Sequence, residues 1–385
     1  MAETFDASGV HQAVGGTATW RRLAVAFYSR VDRDPLLRPL FPGKTLRCAI
    51  EEFTAFLVQF FEGPSEDTQR RWWLSLRESH LRFRIGQNER AAWMEHMASA
   101  LDAVPFEEPL RGTLREFFDR SSAYVVNSVD SADAAVDPVE PPGDAVRQEI
   151  ARRWEIQREL DSAVAAVRGG DVDRAIALAE SLRNRVPANR SVFMGLLAVM
   201  MGSGHAAMLR YVQERVSHDT ALVRELRAGR TLLHEASAQG NLPMVELLLR
   251  LGADPNTPDG GGHAPLYSLA NEYRGAEGGG LVRVLVRNGA SVNASDGVKR
   301  CTALHMAARR GNLHIAEALL GCGAEIDVRD SVGDTPLRRS VNCGQVPVAA
   351  LLVARGADVH SSGSKGLTPL RAARTAAMKQ LLVRQ

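Results

Sequence analysis

The chain has 385 residues, 45% of them hydrophobic and 24% charged, with 47 basic against 45 acidic residues and a net charge of +2. At roughly 150 residues per domain this is two or three globular domains. The composition is too apolar for a disordered chain and too balanced in charge for a polybasic nucleic-acid binder. The longest apolar stretch, 192–202, falls well short of the ~20 residues a membrane-spanning helix needs, and the opening MAETFDASG has neither the basic start nor the apolar run of a secretion signal. Neither a membrane nor a nucleic acid is an expected partner. Four scattered cysteines do not make a disulfide framework, so a reducing cytoplasm is the expected compartment. No zinc motif, phosphate-binding loop or nucleophile elbow is present, and no catalytic constellation is legible.

The aromatic residues divide the chain. Eleven of the 12 Phe and four of the 5 Trp precede residue 130. In chain order, residues 17–31 place Trp20, Leu23, Ala24, Phe27, Tyr28 and Val31 on one helical stripe that Asp34-Pro35 ends. Residues 46–61 carry a second stripe through Leu46, Ile50, Phe53, Leu57 and Phe61, with Gly63-Pro64 as its stop. Asn88 is placed to cap a third helix bearing Trp93, Met97 and Leu101, and a fourth runs over 108–127. No strand-like alternation occurs. Such an interior is either an ordinary packed core or a pocket for a planar group. Two residues favour the pocket. Tyr28 puts a phenol on the apolar stripe, where it needs a partner. His80 puts an imidazole between apolar clusters, where it is a natural axial ligand for haem iron.

These residues carry a resemblance. Gly15-Gly16, AFYSRV (26–31), DPLLRPLFP (34–42), FLVQFFEGP (56–64), SHLRFRIG (79–86) and ERAAWMEHM (89–97) occur in one order and spacing, and the segment 10–128 resembles the truncated (2-over-2) haemoglobins of group II. The resemblance implies a haem cofactor, with His80 as the proximal ligand of the iron. It implies a distal side made by Tyr28, Trp93 and Ala49, the last standing where larger globins place a histidine. Phe41, Phe53, Phe56, Leu57 and Phe83 would line the haem, and Arg77 would face its propionates. Phenol and indole N–H are both donors for a polar diatomic ligand. The sequence departs from the family before His80, where RRWWLSLRESH lacks the usual proline and the basic residue next to the histidine, and at the second Gly-Gly, which is Glu62-Gly63. Arg70, Arg71 and Arg77 could compensate. Cys48, beside Ala49, is read as a buried small hydrophobe.

Residues 128–144 hold three prolines, five acids and no base. They are read as an extended linker. Beyond it, 145–160 is read as a helix joining or capping a repeat stack, and 145–230 as two degenerate helix–turn–helix repeats. From residue 231 the repeat is explicit. TLLHEASAQGN, APLYSLANEY, TALHMAARRGN, TPLRRSVNCGQ and TPLRAAR begin at 231, 264, 302, 335 and 368, spaced by 33, 38, 33 and 33. This is the ankyrin pattern. Threonine caps the first helix in four of the five, and proline, where present, occupies its first turn. The long spacing puts an insertion at NEYRGAEGGG (271–280), expected to loop out between paired helices. His234 and His305 are expected to bond between repeats, not to bind metal. Asp259, Asp296, Lys299, Arg300, Asp330 and Lys365 fall at hairpin tips, where solvated charge is expected.

The expected architecture is all-α, a truncated-globin domain followed by an ankyrin α-solenoid. The expected function is a haem-dependent binder of oxygen or another diatomic gas, tethered to a module that holds a protein partner. Two alternatives stand beside it: a haem enzyme, nitric-oxide dioxygenase or peroxidase-like, drawing on an external reductase; and a scaffold whose globin domain has lost haem.

Overall fold

The computed structural model describes residues 11, 13–41, 45–61, 80, 83–108, 110–127, 145–185, 190–227, 229–363 and 366–383. The described residues are helical; their only β-type pairings are the isolated bridges Arg227 with Arg230 and Ser295 with Thr302. The stretch 128–144, read as a linker, lies outside them, as do Glu62, Gly63, Arg70, Arg71, Arg77 and Lys365. The chain divides into two compact units, Met1–Arg185 and Val186–Gln385.

The first unit begins with α1 (Gly16–Val31), α2 (Arg47–Phe60), α3 (Gln87–Ala103) and α4 (Leu110–Tyr124). Its core is aromatic. Trp20 stacks on Phe61 with ring centroids 5.0 Å apart, and Phe117 packs against Phe60 at 4.9 Å. Gly15 opens α1 at φ 92°, in the left-handed region that favours glycine. The third helix starts two residues earlier than Asn88 suggested. Gly86 is its cap residue, and the Glu89 carboxylate accepts the Gly86 N–H at 2.8 Å.

Two further helices, α5 (Ala145–Gly169) and α6 (Val172–Arg185), belong to this unit. The sequence pattern grouped them with the repeats; their contacts do not. Trp154 of α5 packs edge-on against Tyr124 at 5.3 Å and Phe117 at 6.3 Å. The buried Arg153 donates to the Phe60 carbonyl at 2.6 Å, occupying an acceptor at the C-terminal end of α2. The two helices do form, but Trp154, the one aromatic residue of α5, packs among the rings of α2 and α4.

The second unit comprises α7 (Arg190–Met201), α8 (Ala206–His218) and five helix pairs: α9 (Leu232–Gln239) with α10 (Leu242–Arg250), α11 (Pro265–Glu272) with α12 (Gly278–Arg287), α13 (Ala303–Arg310) with α14 (Leu313–Gly321), α15 (Pro336–Asn342) with α16 (Val346–Ala354), and α17 (Pro369–Ala372) with α18 (Ala376–Val383). Gln239 donates to the Ala198 carbonyl at 3.0 Å, which ties α7 to α9. The glycine-rich insert loops out only in part: residues 273–277 connect α11 to α12. Gly278–Gly280 form the first turn of α12, and a Cβ on Gly279 would sit 3.0 Å from the His314 carbonyl oxygen of α14. These glycines permit close helix approach.

Candidate functional site

In the first unit, the helices enclose a cavity of about 740 Å³, a size suited to a cofactor. Helix α1 brings Tyr28 to its wall, α2 brings Ala49, Phe53 and Phe56, and α3 brings Trp93. The segment after α1 contributes Phe41, and His80 and Phe83, ahead of α3, also line it. The rings form a connected lining. Tyr28 meets Phe41 edge-on at 5.5 Å, Phe41 lies 5.8 Å from Phe83, and Phe83 lies 6.2 Å from the His80 ring. Behind them Phe27 contacts Trp93 at 5.0 Å.

Of the residues named from sequence, Leu57 does not line the cavity. It is fully buried in the core, because its place on α2 turns it inward while Phe53 and Phe56 reach the cavity. Cys48, expected to be buried, is exposed and stands on the cavity's rim. All four cysteines are free thiols.

Several contributors were not legible in the sequence. Asn127 is the main one. Its amide donates to the carbonyls of His80 at 3.1 Å and Phe83 at 2.9 Å. Its side-chain oxygen accepts the Ile85 N–H at 3.0 Å, and its own N–H donates to the Ile85 carbonyl. One side chain just past α4 thus fixes the backbone that carries His80. No local motif announces this, since the partners are more than 40 residues apart. A second clasp joins Asp34 to His96 of α3 at 2.6 Å. Asp34 also accepts the Leu37 and Leu36 N–H groups. The Leu37 N–H and the His96 ring hold the Asp34 carboxyl below the usual carboxylate range. This pins the segment leading to Phe41 against the helix bearing Trp93. Phe118 of α4 and Gln157 of α5 complete the wall.

The donor set fits haem: one imidazole, one phenol and one indole on the wall of an otherwise mainly aromatic and aliphatic cavity. Among the described residues no cluster of three or more His, Cys, Asp or Glu offers a separate metal site.

Residues 9–127 match the family described as bacterial-like globin. The group 2 truncated hemoglobin YjbI of Bacillus subtilis is 34% identical over 134 residues, which cover 34% of this chain and 98% of that protein. The chain belongs to the truncated globins. Joined to the globin are ankyrin repeats, matched at 228–260 and again, as three copies, at 272–362. The human palmitoyltransferase ZDHHC13 is 31% identical over 140 residues, and the BRCA1-associated RING domain protein 1 of Caenorhabditis elegans 34% over 136. The chain covers only 22% and 18% of those two proteins, 28% and 35% of its own length.

The ankyrin repeats hold together by a polar relay between neighbours. The buried His234 ring accepts the Thr231 N–H on Nδ1 at 3.1 Å, so Nε2 carries the proton and donates to the His263 carbonyl of the next repeat at 3.0 Å. His305 does the same between Thr302 and the Asp334 carbonyl. Burial pushes His234 down to about 4 and lowers His305 as well, so both are neutral. In the next repeat Arg338 takes the histidine's place and donates to the Thr368 carbonyl at 2.7 Å. The hairpin aspartates are not solvated charges. Asp296 and Asp330 are buried, and Asp259 accepts the Gly261 and His263 N–H groups at 2.7 and 2.9 Å. Burial raises the Asp259 carboxyl, but the His263 ring and these N–H groups outweigh it and hold it at about 2. A tight hairpin leaves backbone donors that need an acceptor, and the carboxylates supply it. Exposure at the tips falls instead to Val298, Lys299, Arg300 and Val332.

Proposed function

We propose that the globin unit binds haem in its cavity and takes up a diatomic gas there, and that the ankyrin stack docks a protein partner. The observation that carries this reading is the convergence of His80, Tyr28 and Trp93 on one aromatic-lined cavity. Haem supplies an iron centre able to bind oxygen, nitric oxide or carbon monoxide. The His80 imidazole would hold the iron, and Asn127 keeps its backbone in one place. The Tyr28 O–H and the Trp93 N–H would donate to the polar ligand, each contributing about 1 kcal/mol. Ala49 leaves room where a larger side chain would intrude. Phe41, Phe53, Phe56 and Phe83 would exclude water and pack on the planar face. Arg77 is the cation proposed for the propionates. No helix among the described residues is long and apolar enough to cross a membrane. The free thiols suit a reducing compartment such as the cytoplasm. The apolar and basic hairpin tips, Val298 with Lys299 and Arg300, suit contact with a protein.

The test is an absorption titration of the full chain with haemin beside His80→Ala. A Soret band that saturates at one haem per chain, shifts when carbon monoxide is added to the reduced form, and changes in the variant supports the reading. A wild-type chain without a saturable Soret band, or a variant that matches it, overturns the haem reading and leaves an ankyrin scaffold.

A further inference from the structure

The globin match ends at residue 127, yet the cavity wall does not. Gln157, on α5, lines it too. Helix α5 is fixed to the globin helices at two points already described: Trp154 against Phe117 and Tyr124 of α4, and Arg153 on the Phe60 carbonyl of α2. The cavity-lining residues Gln59 and Val125 directly adjoin Phe60 and Tyr124 in sequence. Gln157 is 7% exposed and lies one helical turn before Asp161, to whose carboxylate it donates at 2.9 Å. Gln59 lines the same cavity, and its Oε1 is buried without a hydrogen-bond partner among the described residues. A buried amide oxygen left unmatched is costly unless a water or another group held in the cavity supplies a donor. Two amides therefore join Glu52, Glu89 and Arg90 as polar groups on a mainly apolar cavity, and one of the amides comes from outside the globin segment.

We propose that α5 is part of the cofactor site, and that Gln157, with Gln59, hydrogen-bonds the polar edge of the bound group or a water held against it. This rests on the reading that the cavity holds a planar cofactor with polar substituents. It gives the occupant a direct contact on the 25-residue helix through which the chain runs on toward the repeats. Gln157 is a positioning residue for that group, not an iron ligand.

The full chain carrying Gln157→Leu, which keeps the size and removes the amide, and Gln157→Trp, which intrudes on the cavity, tests this. Two probes are titrated: haemin, read by the Soret band, and anilinonaphthalene sulfonate on the haem-free chain, read by fluorescence. Circular dichroism melts check that each variant folds. Gln157→Leu is expected to shift the Soret maximum and weaken haemin uptake about fivefold, the loss of one ordinary hydrogen bond. Gln157→Trp is expected to weaken both probes. If Gln157→Trp does not fold, Gln157→Leu decides. Variants that bind both probes as wild type does overturn the proposal. A wild-type chain that binds the fluorophore but not haemin, with the fluorophore weakened by Gln157→Trp, sinks the haem reading and keeps α5 in the site. A wild-type chain that binds neither probe overturns both.

Discussion

The two units solve the problem of a helical interior in opposite ways. The globin unit uses large rings of many orientations and leaves a cavity of about 740 Å³ among them. The ankyrin unit uses Leu, Val and Ala at a fixed period, and its buried polar side chains answer a neighbour's backbone. In the first, polar groups converge on an interior space. In the second, they bridge repeats. A histidine therefore has different meanings in the two: His80, half-buried, stands at the wall of a space, while His234 and His305 are buried and bridge one repeat to the next. Histidine alone does not signal a ligand; where its ring stands does.

The sharpest way to break this contrast is to exchange losses between the units. His80→Ala is expected to abolish specific haem uptake, read by the Soret band, while the thermal transition of the ankyrin unit stays in place. His234→Ala is expected to do the reverse. It strands the Thr231 N–H and the His263 carbonyl, and should destabilise the ankyrin unit by about 2–3 kcal/mol in a urea melt, with haem uptake unchanged. Its effect depends on pH with a definite sign. The folded-state value of about 4 lies below the ordinary 6.5, so the unfolded chain takes the proton first. The stabilisation by neutral His234 is complete above about pH 6.5 and is lost as the pH falls toward 4. Urea melts of wild type and His234→Ala should converge over that window; curves that stay parallel would refute the lowered pKa of His234.

Smaller changes sharpen the comparison. Gly279→Val drives a branched side chain at the His314 carbonyl, and should cost the ankyrin unit about 1–3 kcal/mol by overpacking, measured by the same melt. Asn127→Ala frees the backbone at His80 and Phe83. It is expected to weaken haemin uptake about tenfold, as loss of a ligand's outer support does, without moving the ankyrin transition. Equal haemin affinity in this variant would mean that the His80 turn is held by other means.

Much of the ankyrin unit could be read directly, because a 33-residue period repeats the same local rules: a threonine cap, a tight turn at glycine, a leucine pair. Its misreadings fell where a local pattern had two physical outcomes. Three glycines in a row read as a loop, but they also let α12 approach α14 closely. Hairpin aspartates read as solvated, but a tight turn turns their carboxylates inward onto its own N–H groups. In the globin unit the stripes gave helices α1 to α4, and the ordered motifs drew attention to His80, Tyr28 and Trp93. The period alone could not tell Leu57, buried in the core, from Phe53 and Phe56, four residues and one residue earlier on the same helix, which reach the cavity.

The sequence by itself determined the helical class, the two-part division of composition, the repeat and its capping chemistry. Each of these follows from short-range spacing, which a chain carries wherever it folds. Tertiary structure alone decided which residues face one space. Asn127 meets His80 across 47 positions, and Arg153 meets Phe60 across 93. Such pairings depend on how whole helices pack, and no local period encodes them. The same packing took α5 from the repeats, where its helix–turn–helix outline had placed it, and set Gln157 in the cavity wall of the globin. The reason is in its surface: a large ring such as Trp154 is best buried among other rings, and this chain keeps nearly all of them in its first unit.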